Sequence, residues 1–170
     1  MNKTLLSLTF ASLFMVGAAQ ATDHSAVVDI NGSLTGDHSE CTVQTDLSSI
    51  DLSGEIADLP EQNTYANDKA TTLNYSVEST GESCYNRVAL QFHGVADATG
   101  TVLANTEAGE SAAKGVGIGL FTSNNDPLKL NDQFIPHTQG SFLLQLVKLN
   151  GQTPVEGFVY SALTIDVVRL

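Results

Sequence analysis

The chain has 170 residues and carries 19 acidic against 7 basic side chains, which gives a formal net charge of −12 at pH 7. So large an acidic excess argues against nucleic acid and anionic membranes as partners, because both repel negative charge. Past residue 21 no segment keeps an apolar period of 3.6 residues over three turns, so a helical bundle is excluded as well.

The first 21 residues have the order of a secretory signal peptide. Lys3 gives a positive start, an apolar stretch covers residues 5–19, and Ala19-Gln20-Ala21 is an A-x-A cleavage sequence. The apolar stretch is shorter than the ~20 residues of a spanning helix, and no basic stop-transfer cluster follows it. We therefore expect cleavage after Ala21 and an exported mature chain of single-domain size, residues 22–170.

The segment after the signal alternates along its length. Val28, Ile30, Gly32 and Leu34 share one face of a predicted strand, and polar residues fill the other face. Three interpretations fit these residues: the first strand of the domain, a hairpin turn at Asn31-Gly32, or a strand that inserts into a groove of another chain. In the third case Gly32 lies where a bulky side chain would not fit.

The sequence contains two cysteines, Cys41 and Cys84. In an exported chain two cysteines most simply form one disulfide. Its sequence separation of 84 − 41 = 43 residues corresponds to about 4 kcal/mol of stabilisation against the unfolded chain. The alternative, a redox or metal-binding pair, lacks support because there is no C-x-x-C motif and no His at ligand spacing.

Short runs of alternating apolar and polar residues, separated by turn residues, continue to the end of the chain. Leu73, Tyr75 and Val77, for example, share one face of a predicted strand. The predicted runs are residues 41–43, 50–52, 73–77, 88–92, 116–120, 142–146 and 155–168. Period-two alternation of this kind predicts an antiparallel β-sandwich.

Turn residues divide these runs. Asn150-Gly151 predicts a hairpin between the last two runs. Residues 97–113, rich in Gly, Ala, Thr and Glu, and residues 60–70, which lack an apolar period, are predicted to be exposed connections. Residues 115–119 read Gly-x-Gly-x-Gly but lack the helix and the Lys-Ser/Thr pair of a phosphate-binding loop. They are predicted to form a strand whose small residues let a neighbour approach closely.

The histidines show no metal-binding or catalytic spacing. They are His24, His38, His93 and His137, with no H-x-x-x-H pair. His93 falls on the polar face of its predicted strand, where a solvated imidazole is expected. The sequence has no nucleophile elbow either. We therefore predict no enzymatic activity, no catalytic or metal site and no cofactor.

The last run predicts a strand at the edge of a sheet. Leu163, Ile165 and Val167 share one face of it, and the sequence stops at Leu170. An edge strand presents unpaired backbone groups and is prone to aggregation unless another strand pairs with it. We therefore expect a partner to add a strand there.

Taken in order, these features resemble the subunits of chaperone–usher fimbriae of the type 1 pilus kind. The motifs that carry the resemblance are the A-x-A signal, the extension Val28-x-Ile30-x-Gly32-x-Leu34, Cys41 followed by Cys84, residues 115–118 and 142–146, and the terminal alternating strand. The ordered combination covers nearly the whole chain.

The resemblance implies an all-β fold. The pilin domain, residues 37–170, would be an incomplete immunoglobulin-like β-sandwich that lacks its final strand and follows an N-terminal donor-strand extension at residues 22–36. It implies a structural subunit that polymerises by donor-strand exchange and supports cell adhesion. The implied partners are a periplasmic pilus chaperone, an outer-membrane usher and neighbouring fimbrial subunits, with export through the periplasm to a fimbrium at the cell surface.

The resemblance also implies roles for particular residues. The donor face would be Val28, Ile30, Gly32 and Leu34, and the residues that pair with the chaperone and then with a donor would be Leu163, Ile165 and Val167, with the Leu170 carboxylate as the anchor of the chaperone. Family members commonly carry a penultimate Tyr, whereas this chain has Arg169, so its last chaperone contact is expected to differ. Two alternatives stay open: a minor adaptor or receptor-binding, adhesin-like subunit, and a self-contained periplasmic β-sandwich protein.

Overall fold

The computed structural model describes residues 40–170. Its strands are β1 Cys41–Thr45, β2 Thr71–Ser79, β3 Val88–His93, β4 Leu103–Ala104, β5 Val116–Thr122, β6 Pro127–Leu128, β7 Gln133–Phe134, β8 Gln139–Lys148 and β9 Thr164–Arg169. Within the described range the helical structure is a short 3-10 helix, Ile56–Asp58. The predicted signal peptide, residues 1–21, and the predicted extension, residues 22–36, lie outside the described residues.

The strands form two sheets in which neighbouring strands are antiparallel. The larger sheet has the order β1-β2-β8-β5-β4, and β6 pairs with the last part of β5. The smaller sheet has the order β7-β3-β9. The apolar faces of the two sheets form a common core, so the predicted immunoglobulin-like sandwich is confirmed.

Aromatic contacts join the two sheets at the centre of the core. The ring of Phe142, in β8, is fully buried and stacks on Tyr75 of β2 with centroids 4.6 Å apart. Phe92, in β3 of the smaller sheet, meets Phe142 edge to face at 4.9 Å. Edge-to-face pairs add an electrostatic attraction between ring edge and ring face to the gain from burial. The core is therefore filled across the full distance between the sheets.

Two glycines of β5 allow close approach on the outer face of the larger sheet. A Cβ atom on Gly117 would lie 2.8 Å from the carbonyl oxygen of Leu103 in β4. A Cβ atom on Gly119 would lie 2.7 Å from the ring of Phe121. The predicted role of this glycine run, a strand with small residues for a close neighbour, is confirmed.

The outer face of the larger sheet carries a second, smaller apolar cluster. It consists of Ala66, Val102, Phe121, Val147 and Leu149. Residues 97–113, predicted as an exposed connection, contribute Val102 to this cluster and form β4, so that prediction is wrong in part. The connection at residues 60–70 also has a buried part, because Ala66 belongs to the cluster. The buried residues in these segments are too widely spaced to produce a recognisable period.

The hairpin predicted at Asn150-Gly151 is wrong. The turn itself is present, with Gly151 at φ +74°. The chain then crosses to the smaller sheet, where β9 pairs with β3. Since β8 already has β2 on one side and β5 on the other, the larger sheet has no edge there for the last run. Of the predicted run 155–168, the first nine residues form this crossing and the strand begins at Thr164.

Candidate functional site

Two strand edges approach each other without pairing at one side of the sandwich. β1 is an edge strand of the larger sheet and pairs with β2. β9 is an edge strand of the smaller sheet and pairs with β3. β1 and β9 nevertheless lie close together. In the described part of the chain no strand lies between them. The sandwich therefore has an open seam, which we call the groove.

Partly buried apolar side chains lie on both strands beside the groove and in the segments next to them. They are Val43 in β1, Ile50 and Leu52 in the segment after β1, Leu163 just before β9, and Ile165 and Val167 in β9. All six are partly buried and contact the core. Apolar surface still in contact with water gains about 25 cal/mol per Å² when it is covered. The groove therefore favours an apolar strand as its occupant.

The register between β9 and β3 determines which side chains face inward. Ile165 lies opposite Phe92, and Val167 lies opposite Leu90. Both partners in β3 have 0% of their surface exposed. Asp166, between the two inward residues, is exposed. The inward face predicted for the last strand is thus the observed one.

The backbone of β9 forms ladder hydrogen bonds along one of its two edges, the edge that faces β3. In an antiparallel ladder, alternate residues direct their N–H and C=O groups toward opposite sides, and the ladder of β9 is made with β3. Within residues 40–170 no strand takes the groups on the groove side. Backbone polar groups need partners once water is excluded, so the groove offers a hydrogen-bonding ladder beside its apolar lining.

A disulfide fixes one end of the groove. Cys41, the first residue of β1, is bonded to Cys84 in the loop before β3, with Cα atoms 6.0 Å apart. The predicted disulfide is therefore present. Because Cys84 lies in the loop that leads from β2 of the larger sheet to β3 of the smaller sheet, this bond holds the start of β1 to the connection between the two sheets. We call this end of the sandwich the disulfide end.

The last residues of β9 lie at the disulfide end. Arg169 pairs with Val88 at the start of β3. The N–H of Leu170 donates to the carbonyl oxygen of Arg87 at 3.0 Å, and the Leu170 side chain is 62% exposed. The role of Leu170 as an anchor for a chaperone stays a prediction.

The predicted donor face lies outside the described residues. It comprises Val28, Ile30, Gly32 and Leu34. The structure places Leu163 just before β9 and Ile165 and Val167 within it, and the accepting role of these residues stays a prediction, as does the role of the donor residues.

The sequence does not predict a polar contact of His93 on the outer face of β9. His93 lies on the polar face of β3, as predicted, with its Nδ1 atom 2.7 Å from Oδ1 of Asn131. Its Nε2 atom is 3.4 Å from Oδ2 of Asp166 in β9. A protonated imidazole would therefore form an ion pair between the two strands. The pair is partly exposed, so its contribution to stability is small.

A polar cluster at the end opposite the disulfide also lacks a sequence signal. Nε2 of buried Gln62 lies 2.9 Å from Oδ2 of Asp97 and 2.8 Å from Oγ1 of Thr101, and Oε1 accepts a hydrogen bond from the N–H of Asn150 at 3.1 Å. Burial alone would raise the pKa of Asp97. Hydrogen bonds, foremost those from the Thr99 amide and from Gln62, outweigh burial and lower the pKa to about 2. The cluster joins three loops and has a structural role.

Two other classes of site receive no support from the described residues. Over residues 40–170, His, Cys, Asp and Glu side chains form no group that suits a metal ion. The same part of the chain has no helix whose length and apolar character would carry it across a bilayer. The groove is thus the feature with the clearest functional character.

Comparisons with known proteins agree with this geometry. A family model described as Fimbrial protein matches residues 28–168. Among solved structures, the crystal structure of the P pilus rod subunit PapA matches with a TM-score of 0.54 and 12% sequence identity, covering 84% of this chain and 99% of that chain. No curated protein matches the chain by sequence. The structural match supports the fold, and the family match supports the class of protein.

Proposed function

The chain belongs to the fimbrial protein family, a class of structural proteins and not of enzymes, and on that premise we propose that it polymerises by donor-strand exchange. As a member of this family it is a pilus subunit that associates with other subunits at the cell surface. In the proposed mechanism, each copy inserts residues 22–36 into the groove of the next copy. The observation that supports this is the groove itself, with apolar side chains beside it and two strand edges that no other strand of residues 40–170 joins.

The donor face suits the groove in both spacing and polarity. Val28, Ile30 and Leu34 lie at even intervals on one face, as Ile165 and Val167 do on β9. An added strand would therefore set apolar residues against apolar residues along the groove. Each apolar side chain that becomes fully buried contributes about 1.5–3 kcal/mol, and the backbone ladder adds to this. The resulting joint would dissociate very slowly.

Assembly by this route is head to tail. Each copy has one donor segment and one groove, so the contact is heterologous and the polymer does not close on itself. Before a donor arrives, an open apolar edge is an aggregation hazard, and we assign its temporary protection to a periplasmic chaperone. In this scheme the signal at residues 1–21 directs export to the periplasm, an outer-membrane usher exports the growing fimbrium, and the fimbrium supports cell adhesion.

Removing the donor tests the proposal directly. The mature chain is produced with its cognate chaperone, once complete and once without residues 22–35, and polymers are followed by size-exclusion chromatography. Polymer is expected from the complete chain alone, because the shortened chain keeps its groove but has no strand to lend. If the shortened chain polymerises equally well, donor-strand exchange through this segment is wrong.

The residue in the middle of the donor face gives a finer test. Gly32→Phe should block polymer formation while the isolated subunit keeps its circular dichroism spectrum, because a bulky side chain would not fit against the groove. Ser33→Phe is the matched control, since Ser33 lies on the opposite, polar face. Polymers of unchanged length from Gly32→Phe would remove Gly32 from the donor face.

A further inference from the structure

Two aromatic side chains project from a segment whose backbone is held in place. Phe158 is 71% exposed and Tyr160 is 56% exposed. The N–H of Phe158 donates to the carbonyl oxygen of Ser111 at 2.8 Å, and its own carbonyl accepts from the N–H of Ala113 at 2.9 Å. The carbonyl of Tyr160 accepts from the N–H of Thr106 at 2.7 Å. We call Phe158 and Tyr160 the aromatic ridge.

The side chain of Asn105 holds the same segment. Its Nδ2 atom donates to the carbonyl of Phe158 at 3.0 Å, and its Oδ1 atom accepts from the N–H of Tyr160 at 2.9 Å. Val159, between the two ridge residues, contacts the core. A large apolar side chain that is exposed on a fixed backbone is typical of a protein contact surface, because little conformational entropy is lost on binding.

A cavity elsewhere on the domain has the size of an aromatic ring. Its volume is about 140 Å³, and it is open to solvent on one side; the lining consists of Val77, Cys84, Tyr85, Val88, Pro136 and His137 together with the polar residues Ser79, Ser83 and Thr138. For comparison, an apolar cavity of about 150 Å³ accepts benzene. The rings of Tyr85 and His137 stack with centroids 6.1 Å apart, which adds an aromatic surface to a lining of mixed polarity.

The ridge and the cavity lie at opposite ends of the sandwich. Cys84 lines the cavity, which places the cavity at the disulfide end. The register of Val116 with Lys148 puts the start of β5 beside the end of β8, far from that end. The ridge is bonded to residues 111–113, just before β5. β9 also begins at this end, because Thr164 lies opposite the last residue of β3.

Strand exchange, if it operates as proposed above, would bring these two ends together. All pairs between the named strands are antiparallel. A donor strand that pairs with the acceptor's β9 in the same antiparallel sense would end, at Leu34, beside the start of that β9. From Leu34 to Cys41 the chain has 41 − 34 = 7 residue steps, at most about 25 Å when fully extended. The disulfide end of the donating subunit is thereby tethered close to the ridge end of the accepting subunit.

We propose that the Phe158 ring of the accepting subunit enters the cavity at the disulfide end of the donating subunit, so that the occupant of the cavity is a second copy of this chain. The contact makes the joint between subunits stiff.

The test uses a pair of cysteines in the full chain, assembled with its chaperone and usher. Phe158→Cys combined with His137→Cys is expected to form disulfides between subunits, seen as a ladder that survives boiling without reductant. Tyr65→Cys combined with His137→Cys is the matched control, because Tyr65 is 68% exposed but lies outside the ridge. The control should give monomers after boiling.

The outcomes separate this contact from strand exchange. Polymers that form but give no more ladder than the control would overturn the contact and leave strand exchange standing. If the unaltered chain forms no polymer, the proposed function falls and the contact with it. Phe158→Ala gives a second measurement that needs no new cysteine: polymers should form with a shorter persistence length by electron microscopy, and an unchanged persistence length would overturn the contact.

Discussion

Replacing Ile165 by Ala measures whether the groove is filled. In the structure Ile165 is partly buried beside the fully buried Phe92. Full burial of such a side chain contributes about 1.5–3 kcal/mol, so partial burial leaves about 1 kcal/mol to lose. A donor strand over the groove would remove the remaining contact with water. Ile165→Ala would then leave a closed cavity, at a cost of about 2–5 kcal/mol.

The assay needs a monomer that carries its own donor. A rearranged chain in which residues 22–36 follow Leu170 through a glycine-rich linker supplies the donor within the molecule. Guanidinium unfolding of this chain gives the free energy of unfolding with and without Ile165→Ala. Thr164→Ala is the control, because Thr164 is the exposed neighbour on the other face, and a surface substitution costs about 0.5 kcal/mol.

The loss in the free energy of unfolding caused by Ile165→Ala distinguishes a filled groove from an empty one. Insertion of the donor beside β9 predicts a loss of about 2–5 kcal/mol for Ile165→Ala. A loss of about 1 kcal/mol would show a side chain that is still half covered. That smaller value, in a chain that folds cooperatively, would refute insertion of the donor at this edge.

Three further changes test the rest of the domain. Asp97→Asn removes a carboxylate whose folded pKa, about 2, lies below its ordinary 3.8. The substitution should therefore lower the free energy of unfolding at neutral pH, measured with urea, by about 1–2 kcal/mol after allowance for solvent screening. The difference in the free energy of unfolding between the unaltered chain and Asp97→Asn should shrink as the pH falls from 3.8 through 2. A difference that does not change with pH would contradict the hydrogen bonds assigned to Asp97. Cys41→Ser with Cys84→Ser should lower the free energy of unfolding by about 4 kcal/mol, and an unchanged denaturation midpoint would rule out a stabilising disulfide. Gly117→Val would place its Cβ 2.8 Å from the carbonyl oxygen of Leu103 and should cost about 1–3 kcal/mol, measured as a lower Tm; an unchanged Tm would show that β4 is free to move away.

Local periodicity is sufficient to predict a strand and its inward residues where one face of that strand lies in the core. The period of two predicts the inward residues Leu73, Tyr75 and Val77 of β2, and the structure buries all three. It also predicts the inward face of β9. The disulfide follows from the export signal and the number of cysteines. In each case the information lies within a few residues or in the composition.

Contacts between distant segments lack such a local signal. Asn150-Gly151 is a strong hairpin sequence, yet its hairpin is absent because both edges of β8 are occupied. Leu103 lies in a strand of two residues, too short to show alternation. The buried contact of Gln62 with Asp97 depends on two loops that meet only in the folded chain. The sequence pattern therefore predicts the strands better than their partners.

The groove depends on the same topology and on the core beneath it. If β1 and β9 moved together and paired, the sheets would have to approach each other, and the contact of Phe142 with Phe92 already fills the space between them. The disulfide holds the start of β1 to the loop between β2 and β3 at one end. Within residues 40–170, β1 and β9 therefore do not close the seam on each other, which leaves room for an added strand. Under the proposed function, the subunit reaches its full stability only in the polymer, because Ile165 and Val167 contribute both to the fold and to the joint.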